Sequence, residues 1–335
     1  MTTASSPMLA RVLKAAVLRG ASDVHVKAGD VFRARINGEL VPLTKQRLTP
    51  QQTRALAAMF AGMDPEDPRL ETLRDLNCSW GVAGVGRFRI NVLRQRSSFM
   101  IVLRVIPFSV PSPEGLGLPS IVTELAESPN GFLLVTGPGG SGKTSTIAAM
   151  VHHINRSQQR HVLTLEDPIE YLHRDLTGSI SQREVGTDTD DVASGLQAAR
   201  RQDPNVIVIS DLRESSAIDR AIRAAESNLL VIASVTAQDA AGALVQLMAT
   251  MPPAEREVAR SRLAGTLRGV IAQRLVTKGK GGTRHVVVEW VESTPAIQDA
   301  IAAGAEPAAL RTAFEQAVKE GKAQLFPAGR GGEGR

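Results

Sequence analysis

The chain has 335 residues, 43% of them apolar and 22% charged, which is enough for two domains with cores of their own and excludes wholesale disorder. Its 39 Lys+Arg against 34 Asp+Glu leave a net charge of +5 that is spread along the chain, and 8 Phe, 2 Trp and 1 Tyr offer few platforms for stacking bases, so nucleic acid is not expected as a partner. No run approaches the ~20 apolar residues of a membrane-spanning helix, Arg11, Lys14 and Arg19 interrupt any secretory signal, and a single cysteine, Cys78, permits no internal disulfide; a cytoplasmic location is expected.

Residues 1–107 read as one small α/β domain. Met8, Val12, Ala15, Ala16 and Arg19 recur at helical spacing, which predicts a helix over 8–19. Residues 31–41, VFRARINGELV, alternate apolar and polar side chains around Asn37-Gly38, as a hairpin does. Thr49-Pro50-Gln51-Gln52 supplies an N-cap, a proline at N1 and a glutamine at N3, and so opens a helix carrying Leu56, Met59 and Phe60. Strands are predicted at 87–93 and 99–106. The stretch PFSVPSPEGLGLP, 107–119, has four prolines and two glycines, a composition that resists helix and strand alike, and 108–119 is the expected linker.

From 120 to 295 a strand-then-helix rhythm predicts parallel strands joined by right-handed crossovers. The strands fall at 132–136, 161–166, 206–210 and 229–234, and the helices near 143–156, 190–202 and 215–227. The near-continuous apolar run VIVIS implies burial on both faces, as in a doubly wound sheet. A helical stretch is expected over 254–276. After it, the lysine/glycine turn KGKGG and the run HVVVEWV at 285–291 read as a terminal antiparallel hairpin. Residues 296–335 are expected to hold C-terminal helices and a frayed tail, GRGGEGR.

Gly137-Pro138-Gly139-Gly140-Ser141-Gly142-Lys143-Thr144 is a P-loop sequence. Its glycines let successive backbone N–H groups face a phosphate chain, the Lys143 ammonium reaches the β/γ-phosphates, and the Thr144 hydroxyl is suited to Mg²⁺. Context supports the pattern, because the strand FLLVT precedes it and Ile147, Val151 and Ile154 line one face of a helix beginning at it. A metal-holding or water-orienting carboxylate is then needed at a neighbouring strand end. Glu166-Asp167 in LTLEDPIE and Asp211 after VIVIS both qualify.

These residues resemble the secretion ATPases that power type IV pili, most closely the pilus retraction (twitching motility, PilT-like) branch. The carrying segments are ASDVHVKAG, RINGEL, GRFRINVLRQR, LLVTGPGGSGKT, HVLTLEDPIE, SQREVGTDT, ARRQDPNVIVISDLRE, AIRAAES and GVIAQRL, collinear over about residues 20–295. The resemblance implies a PAS-like first domain and a RecA-like P-loop NTPase second domain. It also implies a homohexameric ring with ATP between the domains, at the inner face of the cytoplasmic membrane on an integral platform protein, with a paralogous ATPase as a further partner. It further implies nucleotide binding by Gly137, Gly139, Gly140, Ser141, Gly142, Lys143, Thr144 and Ser145, Mg²⁺ held by Thr144 and Glu166, and catalytic roles for Asp211, Glu166, Arg104 and Arg89.

Two positions depart from the family pattern. Ser210-Asp211-Leu212-Arg213 stands where Gly-Glu-Met-Arg is usual, one methylene short at the base, and Ser234-Val235-Thr236-Ala237 stands where Thr-Leu-His-Thr is usual, so Thr236 replaces a γ-phosphate-sensing histidine. The leading expectation is an ATP-driven motor for pilus retraction. The alternative is a slowly hydrolysing accessory paralogue that regulates or co-assembles with an active one, and a nucleic-acid translocase is the third reading. His152 and His153 project about 100° apart on a helix and do not chelate together; Trp80, Trp290 and Cys78 are expected to pack in cores.

Overall fold

The computed structural model describes residues 7–106, 109–277, 284–304 and 306–326. The lysine/glycine turn, the glycine-rich tail and the start of the linker stretch at 107–108 lie outside the described residues. The chain divides into two compact units whose main boundary falls between Ser109 and Val110.

The first unit contains α1 (Pro7–Leu18), β1 (Ala21–Lys27), β2 (Arg33–Ile36), β3 (Glu39–Pro42), α2 (Pro50–Ala61), the single turn α3 (Arg69–Thr72), β4 (Asp75–Val82), β5 (Gly86–Gln95) and β6 (Ser98–Ile106). All the strands pair antiparallel in one sheet of order β3-β2-β1-β6-β5-β4. The hairpin forms as its turn residues demand, with Ile36 opposite Glu39 and both Asn37 (φ 51°) and Gly38 (φ 87°) in the left-handed region. The expected capping box closes α2: Gln52 N donates to Thr49 Oγ1 at 3.2 Å and Thr49 N donates to Gln52 Oε1 at 2.8 Å. Leu9 and Leu13 of α1, Leu56 and Ala57 of α2, and Phe88, Ile90 and Leu103 of the sheet meet in one core. Trp80 and Phe60 pack edge to face at 5.4 Å, and Cys78 is half-buried beside them. Strands β1 and β4 are not predicted, because their mixed side chains hide the alternation.

The second unit opens with α4 (Ile121–Ala126) and β7 (Gly131–Thr136), and continues with α5 (Lys143–Ser157), β8 (His161–Glu166), β9 (Ser179–Glu184), α6 (Val192–Ala199), β10 (Val206–Ile209), α7 (Ser215–Glu226) and β11 (Leu230–Val235). It closes with α8 (Ala240–Ala249), α9 (Arg256–Thr266), β12 (Leu267–Thr277), β13 (Arg284–Glu292), α10 (Pro295–Ala302), α11 (Pro307–Lys319) and β14 (Ala323–Gln324). The sheet order is β14-β13-β12-β7-β11-β10-β8-β9, parallel from β12 through β9, with β13 and β14 antiparallel at one edge. Every residue of β7, β10 and β11 is buried, as helices on both faces require.

The expected helix over 254–276 is half wrong. Helix α9 stops at Thr266, Leu267 turns extended (φ −58°, ψ 128°), and 267–277 becomes β12, wedged between β7 and β13. A strand buried on both faces carries no period-2 signal, so its apolar residues pass for a buried helix. Gly269 disfavours a helix there, and the β-branched Val270-Ile271 favour the strand. The antiparallel pairing of the terminal hairpin therefore holds, with β12 as its first arm.

Candidate functional site

Strand β7 delivers the loop 137–142 to the carboxyl edge of the parallel strands, where β11, β10 and β8 also end. Three of its glycines have left-handed or otherwise positive φ: Gly137 (150°), Gly140 (74°) and Gly142 (92°). A Cβ at Gly137 would lie 2.3 Å from the Gln273 carbonyl oxygen and 2.5 Å from Ser141 Oγ. Gly139 and Gly140 have nothing within 4 Å of that position, so the cradle opens there. Gly137→Ala adds a clash to an unfavourable φ, and the affinity for Mg-ADP is expected to drop by at least roughly 100-fold; titration with a fluorescent ADP analogue checks it.

Helix α5 starts on the loop with Gly142 as its N-cap, so unsatisfied amides of its first turn face any bound anion. Lys143 is half-buried and its Nζ donates to Gly137 O at 2.7 Å and Pro138 O at 3.3 Å. Burial pushes its pKa down and the nearby Asp211 carboxylate pushes it back up. Thr144 and Ser145 are half-buried in the first turn, and Ser141 Oγ is buried with no hydrogen-bond partner among the described residues. A glycine-rich loop leading into a helix N-terminus, an ammonium and two hydroxyls, open at Gly139 and Gly140, fit a Mg²⁺-nucleotide polyphosphate.

The strand ends beside the loop are stitched together at Ser210. Its N donates to Leu165 O at 3.0 Å, its Oγ accepts from Asp167 N at 3.0 Å, and its carbonyl accepts from the buried Ser234 Oγ. Leu212 N then donates to Ser234 O at 2.8 Å, which leaves Asp211 held at both flanks. The Asp211 carboxylate pairs with the exposed Arg213, whose pKa it raises. Glu166 is buried at the end of β8, where its Oε1 accepts from Thr164 Oγ1 at 2.6 Å and Gln182 Nε2 at 2.8 Å. Strands β10 and β11 lie between β8, which ends at Glu166, and β7, which delivers the loop. Thr236 is exposed just beyond β11.

In the first unit, Arg89 and Arg104 are directly opposite on β5 and β6, and both are exposed. Like charges at paired positions repel, so the pair concentrates positive charge on one spot of the sheet. Arg104 Nε also contacts Asp23 Oδ1 at 3.0 Å. Burial, with a smaller contribution from His152, pushes His173 down to about 4, which keeps that imidazole neutral near pH 7. No cluster of three His, Cys, Asp or Glu able to hold a metal occurs among the described residues, and none of their helices is long and apolar enough to cross a membrane. Sequence reasoning missed Gln273, which donates from Nε2 to Ser141 O at 2.8 Å. Its signal was hidden in the stretch read as helix.

Residues 3–321 match the family model described as type II/IV secretion system protein. The chain is 33% identical over 313 residues to the type IV pilus ATPase PilU of Pseudomonas aeruginosa, spanning 93% of this chain and 81% of that one. It is 35% identical over 283 residues to the type IV pilus retraction ATPase PilT of the same organism, spanning 84% and 82%. Among solved structures, the pilus retraction motor PilT with bound ADP matches with a TM-score of 0.81 at 37% identity, over 92% of this chain and 88% of that one. The Legionella pneumophila ATPase DotB matches with a TM-score of 0.82 at 24% identity, over 97% and 90%, a likeness of fold. The expected architecture, a RecA-like P-loop domain after a smaller PAS-like α/β domain, holds.

Proposed function

The chain belongs to the type II/IV secretion system protein family and is an ATPase of its pilus branch, and from that premise we propose that it is the motor of type IV pilus retraction. The observation that carries the reading is the intact cradle of residues 137–144, with its positive-φ glycines and the Lys143 ammonium held on the loop. The proposed working form is a homohexamer at the cytoplasmic face of the membrane, engaging an integral platform protein.

In this reading the amides of 139, 140, 142 and 143 would bind the phosphates, the Lys143 ammonium would absorb charge on the β/γ oxygens, and Thr144 with Glu166 would hold Mg²⁺, while Ser145 supports the first turn. Bound Mg²⁺ supplies Lewis acidity at the phosphates. Asp211 orients the attacking water and takes up its proton. Arg89 and Arg104 bring positive charge to the nucleotide from the first domain.

A second reading, an accessory paralogue, is favoured by one observation: the Asp211 carboxylate is short and turned onto Arg213. Steady-state ATPase measurements on the purified ring separate the two. A retraction motor turns over ATP alone, whereas an accessory subunit does so appreciably only when mixed with a paralogous retraction ATPase.

Arg89→Ala is expected to lower kcat by about 10- to 100-fold, as loss of one charge-stabilising group does. Mg-ADP affinity stays within about threefold of wild type, since the phosphates rest on the loop. Arg104→Ala should do the same at some cost in stability, because it leaves the buried Asp23 without its guanidinium. Unchanged kcat in both variants, or only monomers by light scattering with nucleotide present, would count against the ring.

A further inference from the structure

Loop 137–142 is held by a side chain that the P-loop pattern does not contain. Gln273, on β12, is 1% exposed. Strand β12 runs parallel to β7 with Ala272 beside Thr136, so residue 273 lies just where the loop departs. Its carbonyl oxygen occupies the space that a Cβ at Gly137 would need, at 2.3 Å, and so walls the start of the loop. Its side chain reaches the other end, where Nε2 donates to Ser141 O at 2.8 Å and sits 3.3 Å from where a Cβ of Gly142 would be. One residue therefore brackets the loop.

A buried primary amide is costly unless its hydrogen bonds are used, and Gln273 bears part of that cost, because its Oε1 is buried without a hydrogen-bond partner among the described residues; a methionine would fill the same volume without it. The amide orientation is fixed by its partner, since only the NH₂ end can meet a carbonyl. What the bond controls follows from peptide planarity: in the trans Ser141–Gly142 unit the C=O and N–H point in opposite directions. Anchoring Ser141 O against β12 turns the Gly142 N–H away from β12.

We propose that Gln273 is a positioning residue for the nucleotide: by anchoring Ser141 O it sets the Ser141–Gly142 peptide plane and aims the Gly142 N–H into the phosphate cradle. The inference rests on the reading of loop 137–144 as the phosphate site. In this role Gln273 acts on the loop through Ser141 O, so its effect appears in binding before it appears in chemistry.

The test is Gln273→Met in the full chain, read by titration with Mg-ADP, by KM and kcat for ATP, and by the melting temperature without nucleotide. Loss of the bond leaves a buried carbonyl unpaired and the peptide plane free to rotate. The Kd for Mg-ADP and the KM for ATP are then expected to rise about tenfold, with kcat within about threefold and the melting temperature within about 3 °C. A lowered melting temperature with Kd and KM within twofold would make Gln273 a packing residue only and overturn the proposal, as would no change in any quantity. If Gln273→Met does not fold, Gln273→Asn, one methylene short of Ser141, is read by the same outcomes. Failure of the wild-type chain itself to bind Mg-ADP would overturn the phosphate-site reading, and this inference with it, and so is distinguishable from equal binding by wild type and variant.

Discussion

Lys143→Ala is expected to lower kcat for ATP by on the order of 1,000-fold or more, about 4 kcal/mol of transition-state stabilisation. The magnitude follows from where the ammonium sits. Its Nζ is drawn into the loop by the Gly137 and Pro138 carbonyls, in a half-buried position where burial already disfavours its charge. A positive charge held there, poorly solvated and aimed at the cradle, is worth far more to a developing phosphate charge than one in water. The same geometry predicts that little else changes. Lys143 makes no ion pair among the described residues, and removing it spares the apolar contacts of Ile147, Met150, Val151 and Ile154 that dock α5 on the sheet. Melting temperature is therefore expected to stay within about 3 °C of wild type. A steady-state ATPase assay beside a thermal melt checks both; normal turnover in a folded variant would sink the site.

The cradle was legible in the sequence because it is a backbone demand. Gly137, Gly140 and Gly142 need φ angles that other residues resist, and Lys143-Thr144 must follow at once. Capping at Thr49 and the turn at Asn37-Gly38 were legible for the same reason, since each local rule names its residues. What escaped detection depends on strand order. Gln273 supports the loop only because β12 lies next to β7, and a buried strand surrounded by apolar neighbours looks like a buried helix until its partners are known. The Ser210 junction was hidden likewise. Nothing local says that Ser210 will meet Asp167 and Ser234, residues brought together by the crossovers. Arg89 and Arg104 were picked out by resemblance, and the cross-strand register adds that they are direct neighbours.

Asp211→Glu is expected to raise kcat, by roughly 10-fold and up to 100-fold, because a misplacement of about 1 Å costs on that order in a reacting geometry. The carboxylate has two handicaps. It is one methylene shorter than the glutamate that the family resemblance implies at this position, and it is turned onto Arg213 at the surface. The second handicap is weak, since an exposed pair of this sort is worth about 0–1 kcal/mol and yields easily to a better position. The first is fixed by covalent geometry, because Ser210 and Leu212 tie the backbone on either side of Asp211 to β8 and β11 and leave the main chain little room to compensate. Mg-ADP affinity should stay within about twofold, as the phosphates rest on the loop amides and Lys143. Thr236, exposed beyond β11, lacks an imidazole to contact the γ-phosphate, so the Asp211→Glu, Thr236→His double variant is expected to exceed the single one. Steady-state kcat and nucleotide titration on the three proteins decide it. If neither variant turns over faster, the base is not limited by reach at position 211, and Glu166, buried against Thr164 and Gln182, takes over as the candidate. Glu166→Gln then carries the larger loss of kcat, while Asp211→Asn leaves most of it, and the order of those two losses assigns the base.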